Sequence, residues 1–231
     1  METNKKISVL NLFAGLGGNR KNWENVDVTA VENNSEIAAI YQDFFPNDKV
    51  IVGDAHEYLL KHFKEYDFVW SSPPCQSHSR IRNEAGVGRG QNKPIYPDMK
   101  LYEEIILLRH LAKLKKNGFT GKYLVENVIP YYEAMFNPQV IGQHCFWANF
   151  LIRPFYFRTR NHWNKSALKK TKFNINNLQW LRNCTEPELG KHIFDCAFNG
   201  KAQTLFTSPE MIQDNLFAEV DDEQPSQQST E

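Results

Sequence analysis

Six short apolar runs, at residues 7–13, 28–31, 49–52, 66–70, 122–125 and 145–150, constrain this chain more than any other feature. The first reads as a strand buried on both faces, near-continuously apolar as strands of parallel sheets are. Helical patterns separate several of the runs. Residues 35–45 carry one, with Ser35 as the expected N-cap and Pro46 as its stop. Residues 101–114 carry another, strongly amphipathic, capped by Asp98 and ended by Asn117-Gly118. Strands alternating with helices describe an open α/β sheet. Such sheets gather ligands beyond the C-terminal ends of their strands, so the residues that follow each run matter most.

The first run is followed by Ala14-Gly15-Leu16-Gly17-Gly18 and a helix-like stretch toward Trp23. A glycine turn between strand and helix lets a ligand approach the backbone closely, although a tight turn with nothing bound has the same pattern. The second run ends in Glu32, seventeen residues after Gly15. That is near the spacing of roughly 20 at which an acid accepts from ribose hydroxyls. The third run ends in Gly53-Asp54. Acids at the ends of strands two and three, beside a glycine turn after strand one, make an adenosine site; surface acids at strand ends are the plain alternative.

The fourth run leads into Ser71-Ser72-Pro73-Pro74-Cys75-Gln76. Proline fixes φ and has no backbone donor, so the pair ends the strand and stiffens the turn. A cysteine placed there is either a small buried hydrophobe or a nucleophile at the reactive edge of the sheet. Residues 76–97 form a basic loop with Arg80, Arg82, Arg89 and Lys93, long for a compact domain and therefore read as functional. The fifth run leads into Glu126-Asn127-Val128, which puts a third carboxylate on the same edge as Cys75.

A formal net charge of zero hides a segregation. Residues 153–182 hold eight Lys or Arg and no acid, and residues 202–231 hold seven acids and no base. Tyr156, Phe157, His162, Trp163, Phe173 and Trp180 interleave with the bases, which suits phosphate contacts plus base stacking; a solvated face is the alternative. Arg158, Arg160, Lys169, Lys170 and Lys172 are the expected contacts, together with Arg80, Arg82 and Arg89. A short helix is expected between Thr185, as its cap, and Phe198, with Gly190 costing it about 1 kcal/mol relative to alanine. The tail from Asp221 has too little apolar content to fold. The expected division is 1–152 for the core, 153–205 for a nucleic-acid-binding segment and 206–231 for an acidic tail.

Other classes are set aside on composition. No apolar run approaches the roughly 18 residues of a membrane span. The polar start, residues 1–8, carries no secretory signal pattern. The four cysteines lack zinc spacing and are few for a disulfide scaffold. His56-Glu57 with His62 resembles a zincin only at a glance, because the second His lies two residues too far along. A soluble, reduced, intracellular protein is expected.

The ordered motifs resemble those of the DNA cytosine-5 methyltransferase family over about residues 7–150. Phe13-Ala14-Gly15-Leu16-Gly17-Gly18 is similar to its cofactor loop, Pro73-Pro74-Cys75-Gln76 to its nucleophile motif and Glu126-Asn127-Val128 to its glutamate motif. Phe146-Trp147-Ala148-Asn149 is similar to the strand after the arginine motif in the animal de novo enzymes. The resemblance implies a Rossmann-like S-adenosylmethionine-dependent methyltransferase sheet with a small basic C-terminal recognition segment. It further implies S-adenosylmethionine bound by Phe13, Gly15, Gly17, Glu32, Asp54, Pro74 and Leu101. Cys75 would be the thiolate that adds to carbon 6 of a flipped cytosine in DNA, with Gln76 beside it, and Glu126 would serve ring nitrogen 3. The basic loop would lower the thiol pKa and close over the base. The compact size suggests a phage or prophage version, expected in the cytoplasm of a bacterial or phage-infected host cell.

The chain also departs from the family. Aligning on Phe146-Trp147 puts Gly142 and His144 where two arginines are expected. An imidazole can still donate to oxygen 2 of cytosine, without a guanidinium's fork. Asn33 stands where an aromatic often follows the ribose acid, and the closing C-terminal motif is absent. The recognition region is about fifty residues. Two other readings therefore stay open: the same chemistry on tRNA, a free nucleotide or a modified base, and a nucleic-acid-binding module whose chemistry has decayed.

Overall fold

The computed structural model describes residues 5–80, 96–113, 119–156, 180 and 183–198. These form a seven-stranded sheet of order β3-β2-β1-β4-β5-β7-β6. The strands are β1 (Ile7–Leu12), β2 (Val26–Glu32), β3 (Lys49–Val52), β4 (Phe68–Ser71), β5 (Lys122–Val128), β6 (Gln139–Ile141) and β7 (His144–Ala148). Five are parallel neighbours, and β7 inserts antiparallel between β5 and β6. Helices α1 (Ser35–Phe44), α2 (Ala55–His62), α3 (Lys100–Lys113) and α4 (Pro187–Phe198) accompany it. This is an open, Rossmann-like α/β sheet.

Alternation along the central strands divides the core between the two faces. On one face Leu10, Leu12, Val69 and Val125 pack with Leu59 of α2 and with Leu101, Ile105 and Leu108 of α3. On the other, Val9, Phe68, Trp70 and Leu124 pack with Trp23 and with Leu189, Ile193 and Phe194 of α4. Both faces are covered, which is why the strands are apolar throughout.

Several expected boundaries move. The first cap is Asn34 rather than Ser35: its side chain accepts from the N–H groups of Glu36 and Ile37, two of the donors a helix start leaves unpaired. Helix α2, absent from the sequence reading, begins at Asp54, whose carboxylate accepts from Glu57 N at 2.9 Å. Asp98 does cap α3, accepting from Lys100 N at 3.0 Å. Glu126 lies inside β5, not beyond it, because β7 extends the pairing and sets Glu126 opposite Phe146. The β6–β7 hairpin turns through Gly142 and Gln143, with Gly142 left-handed at φ 61°. That backbone explains one of the two departures, since an arginine there would be strained.

Gly190 is also required where it stands. A Cβ on it would collide with the backbone of Asn19, whose Cα lies 2.7 Å from the added atom. The close approach lets Trp23 Nε1 donate to the Gly190 carbonyl at 3.1 Å and docks α4 beside the glycine turn.

Candidate active site

The sheet order reverses between β1 and β4, and ligand crevices of open α/β sheets form at such a switch point. Beyond β1 the chain turns through Phe13, left-handed at φ 53°, a conformation that costs of order 1 kcal/mol outside glycine. Gly15 and Gly17 follow, also left-handed, and serve different purposes. A Cβ on Gly17 would collide with Phe45 and Tyr41, so that glycine lets α1 pack. A Cβ on Gly15 would meet nothing within 4 Å, so the backbone there borders open space. Glu32, 8 % exposed, accepts from Gly15 N through one oxygen at 3.0 Å and from Asn34 N through the other at 2.9 Å. Each oxygen keeps a lone pair for a ligand hydroxyl.

The turn carrying Cys75 is tied down at both ends. Asn127, 2 % exposed, donates from Nδ2 to the Pro73 carbonyl at 2.9 Å, and Trp70 Nε1 donates to Ser72 Oγ at 2.8 Å. The N–H groups of His78 and Ser79 both donate to the Cys75 carbonyl at 3.0 Å. His78 is fully buried and hydrogen-bonds the Tyr132 hydroxyl. Burial, and then the charge of Glu126, push the Cys75 thiol above its ordinary range. The expected lowering by the basic loop concerns residues 81–95, which lie outside the described residues; what the described residues do is raise it.

Glu126, 7 % exposed, places Oε1 at 2.7 Å from His144 Nδ1. Its Oε2 makes a long contact of 3.5 Å with Thr185 Oγ1. Thr185 therefore turns toward the site, and the carbonyl of Glu186 receives the Gly190 N–H of α4. On the far side of the ring, His144 Nε2 lies 3.6 Å from Glu186 Oε2. Burial lowers the His144 pKa, but the bonds and charges of Glu126 and Glu186 prevail and raise it to about 10. His144 thus lies between two glutamate side chains, an arrangement that favours its imidazolium form.

These groups share one cavity of about 230 Å³, whose wall includes Phe13, Gly15, Glu32, Pro74, Cys75, Gln76, Glu126 and His144. Gly17, Asp54 and Leu101 are not on that wall: Gly17 faces α1, Asp54 caps α2 through Oδ1, and Leu101 is core at 2 % exposure. Sequence reasoning missed Asn183 and Cys184, which line the cavity together with Trp180. Cys184 is a second sulfur there, but burial pushes its thiol up to about 12 and it donates to the Trp180 carbonyl. Arg80 donates to the Pro130 carbonyl at 3.2 Å. Arg82, Arg89, Arg158, Arg160, Lys169, Lys170 and Lys172 lie outside the described residues. Among the described residues, no cluster of His, Cys, Asp and Glu suits a metal ion, and no helix is long and apolar enough to cross a membrane.

Residues 7–107 match the model of the C-5 cytosine-specific DNA methylases. A probable DNA (cytosine-5)-methyltransferase of Frog virus 3 is 26 % identical over 129 residues, covering 52 % of this chain and 53 % of that protein. The chain thus matches about half the length of this curated relative. Among solved structures, a candidate prophage DNA modification methyltransferase from E. coli aligns at 20 % identity and TM-score 0.34, covering 55 % of this chain and 34 % of that one. A DNMT2 mutant of Spodoptera frugiperda aligns at 22 % identity and TM-score 0.34, covering 53 % and 36 %.

Proposed function

We propose that this chain transfers a methyl group from S-adenosylmethionine to carbon 5 of cytosine in DNA through a covalent adduct with Cys75. The observation that carries the reading is the single cavity: a thiol and a carboxylate–imidazolium pair share it with Gly15 and the ribose-type acid Glu32. The residues fit the donor, with open space over Gly15 for close backbone approach and free lone pairs on Glu32 for hydroxyls. When bound, S-adenosylmethionine supplies an electrophilic methyl.

The chain supplies the rest. Carbon 5 of cytosine is a poor nucleophile until a group adds at carbon 6. Cys75 Sγ forms that bond as a thiolate, its proton passing to solvent or base. Electron density displaced toward ring nitrogen 3 is met by a proton that Glu126 takes up from His144 Nδ1 or solvent and passes on to that nitrogen. Carbon 5, made nucleophilic in this way, would be placed to accept a methyl from a bound donor; its own proton would then leave to solvent as the Sγ–C6 bond breaks and returns Cys75 as a thiolate. A target atom inside a duplex cannot reach this wall, so the base must swing out of the stack. The basic stretches 76–97 and 153–182 supply phosphate contacts.

The test is transfer of labelled methyl into duplex DNA, with tRNA and free nucleotides as competing acceptors, and trapping of Cys75 on 5-fluorocytosine DNA. Cys75→Ser should lose turnover. Wild-type protein that binds S-adenosylmethionine but methylates only RNA or nucleotides would move the substrate and keep the chemistry. The short recognition region and His144 at the arginine position favour that second reading.

A further inference from the structure

The segment entering α4 brings a carboxylate to the back of His144 that no motif of the core accounts for. Glu186 Oε2 is buried without a hydrogen-bond partner, and its charge is offset across 3.6 Å by His144 Nε2. A buried carboxylate oxygen without hydrogen bonds persists only where a cation compensates it. The same ring donates from Nδ1 to Glu126 at 2.7 Å. The His144, Glu126 and Glu186 side chains are 16 %, 10 % and 26 % exposed, so water screens the three charges little. Were the ring neutral, two carboxylates would face each other across it.

We infer that Glu186 is a positioning residue for the methyl transfer proposed above: by pairing with Nε2 it holds His144 as a cation, so that one fixed N–H always points at Glu126. A guanidinium needs no such support, because it is charged at any working pH. An imidazole in its place does need it. The charged and titratable groups around the ring are Glu126 of β5, Glu186 ahead of α4, the Cys75 thiol after β4, which acts through Glu126, and the Cys184 thiol, which acts through Glu186. Arg80 acts on the neighbouring Cys145, and Phe146 stacks on the ring at 6.0 Å. The inference rests on the methylation reading for its role in turnover, not for the pairing itself.

The experiment combines methyl-transfer rates from pH 6 to 10 with an NMR titration of the His144 imidazole, for wild type, Glu186→Gln, His144→Arg and the double variant. In wild type the titration midpoint should lie well above that of a free histidine. Glu186→Gln should lower the midpoint and move the alkaline limb of the rate profile down by about one pH unit, a roughly tenfold loss at the alkaline end with little change at pH 6. In the His144→Arg background, Glu186→Gln should leave the shape of the profile unchanged. A wild-type midpoint near the free value, or a Glu186→Gln loss of equal size at every pH, overturns the inference. If no acceptor is methylated, the methylation reading falls, and the NMR titration still decides the pairing.

Discussion

The backbone N–H of Gly15 donates to Glu32 Oε2 at 3.0 Å, joining the turn after β1 to the end of β2. One carboxylate thus shapes the glycine turn and faces the cavity. Replacing Glu32 by alanine leaves the N–H groups of Gly15 and Asn34 without their acceptor, at about 1–3 kcal/mol of stability. Affinity for S-adenosylmethionine should fall about tenfold or more, the worth of one charge-assisted hydrogen bond. Calorimetry and denaturant unfolding separate the two effects. A variant that loses stability but binds the cofactor as before would reduce Glu32 to a structural acid.

The surroundings of Cys75 favour its thiol form. Burial raises its pKa first, and the negative charge of Glu126 adds to it. Iodoacetamide should therefore label Cys75 more slowly at pH 7.5 than it labels a free cysteine, with the rate still climbing toward pH 10. Glu126→Gln removes the carboxylate contribution and should speed labelling. Mass spectrometry of the Cys75 peptide reads both rates. Slower labelling in the variant would mean that Glu126 does not act on this thiol.

Gly190 sets two effects against each other. Alanine is favoured by about 1 kcal/mol in a helix interior. Its Cβ, however, would overlap the Asn19 backbone, which is held by the Asn11–Asn19 side-chain pair at 2.8 Å and cannot step aside cheaply. Steric overlap in a packed core costs about 1–3 kcal/mol, so Gly190→Ala should destabilise on balance. Thermal unfolding tests this, and a variant as stable as wild type would mean that α4 is not docked on the turn as described.

How far the molecule could be read from its residues follows from which signals are local. The strands, the left-handed turn at Gly15 and the capping role of Asp98 rest on neighbouring residues, and periodicity or a turn residue betrays them. The extension of β5 past Glu126 depends on β7, some twenty residues later, so no local pattern marks it. Asp54 sits at a strand end like Glu32, yet the following helix takes its carboxylate, and that helix has little apolar signature beyond Ala55 and Leu59. Leu101 follows the same logic: its sequence position suits the cofactor, while the amphipathic phase of α3 turns it into the core. Glu186 was unreadable because its meaning lies in His144, forty-two residues earlier and on another element.

The same pair governs how stability depends on pH. His144 binds its proton with a pKa of about 10 in the folded chain, against about 6.5 when unfolded. Between those values the folded state holds more protons than the unfolded one, so raising the pH favours unfolding. The contribution is complete below about pH 6.5, declines as pH rises and is lost once pH passes about 10. Glu186 works from the other side: its pairing with His144 outweighs burial and holds its pKa below the usual glutamate value, so its share is present above that value and lost on acidification. Denaturant unfolding of wild type and His144→Gln at intervals from pH 6 to 10 should give curves that converge as the pH rises, wild type losing up to a few kcal/mol more than the variant. Parallel curves would mean that the imidazole carries no charge in the folded protein, and the carboxylates on either side of it would need another cation.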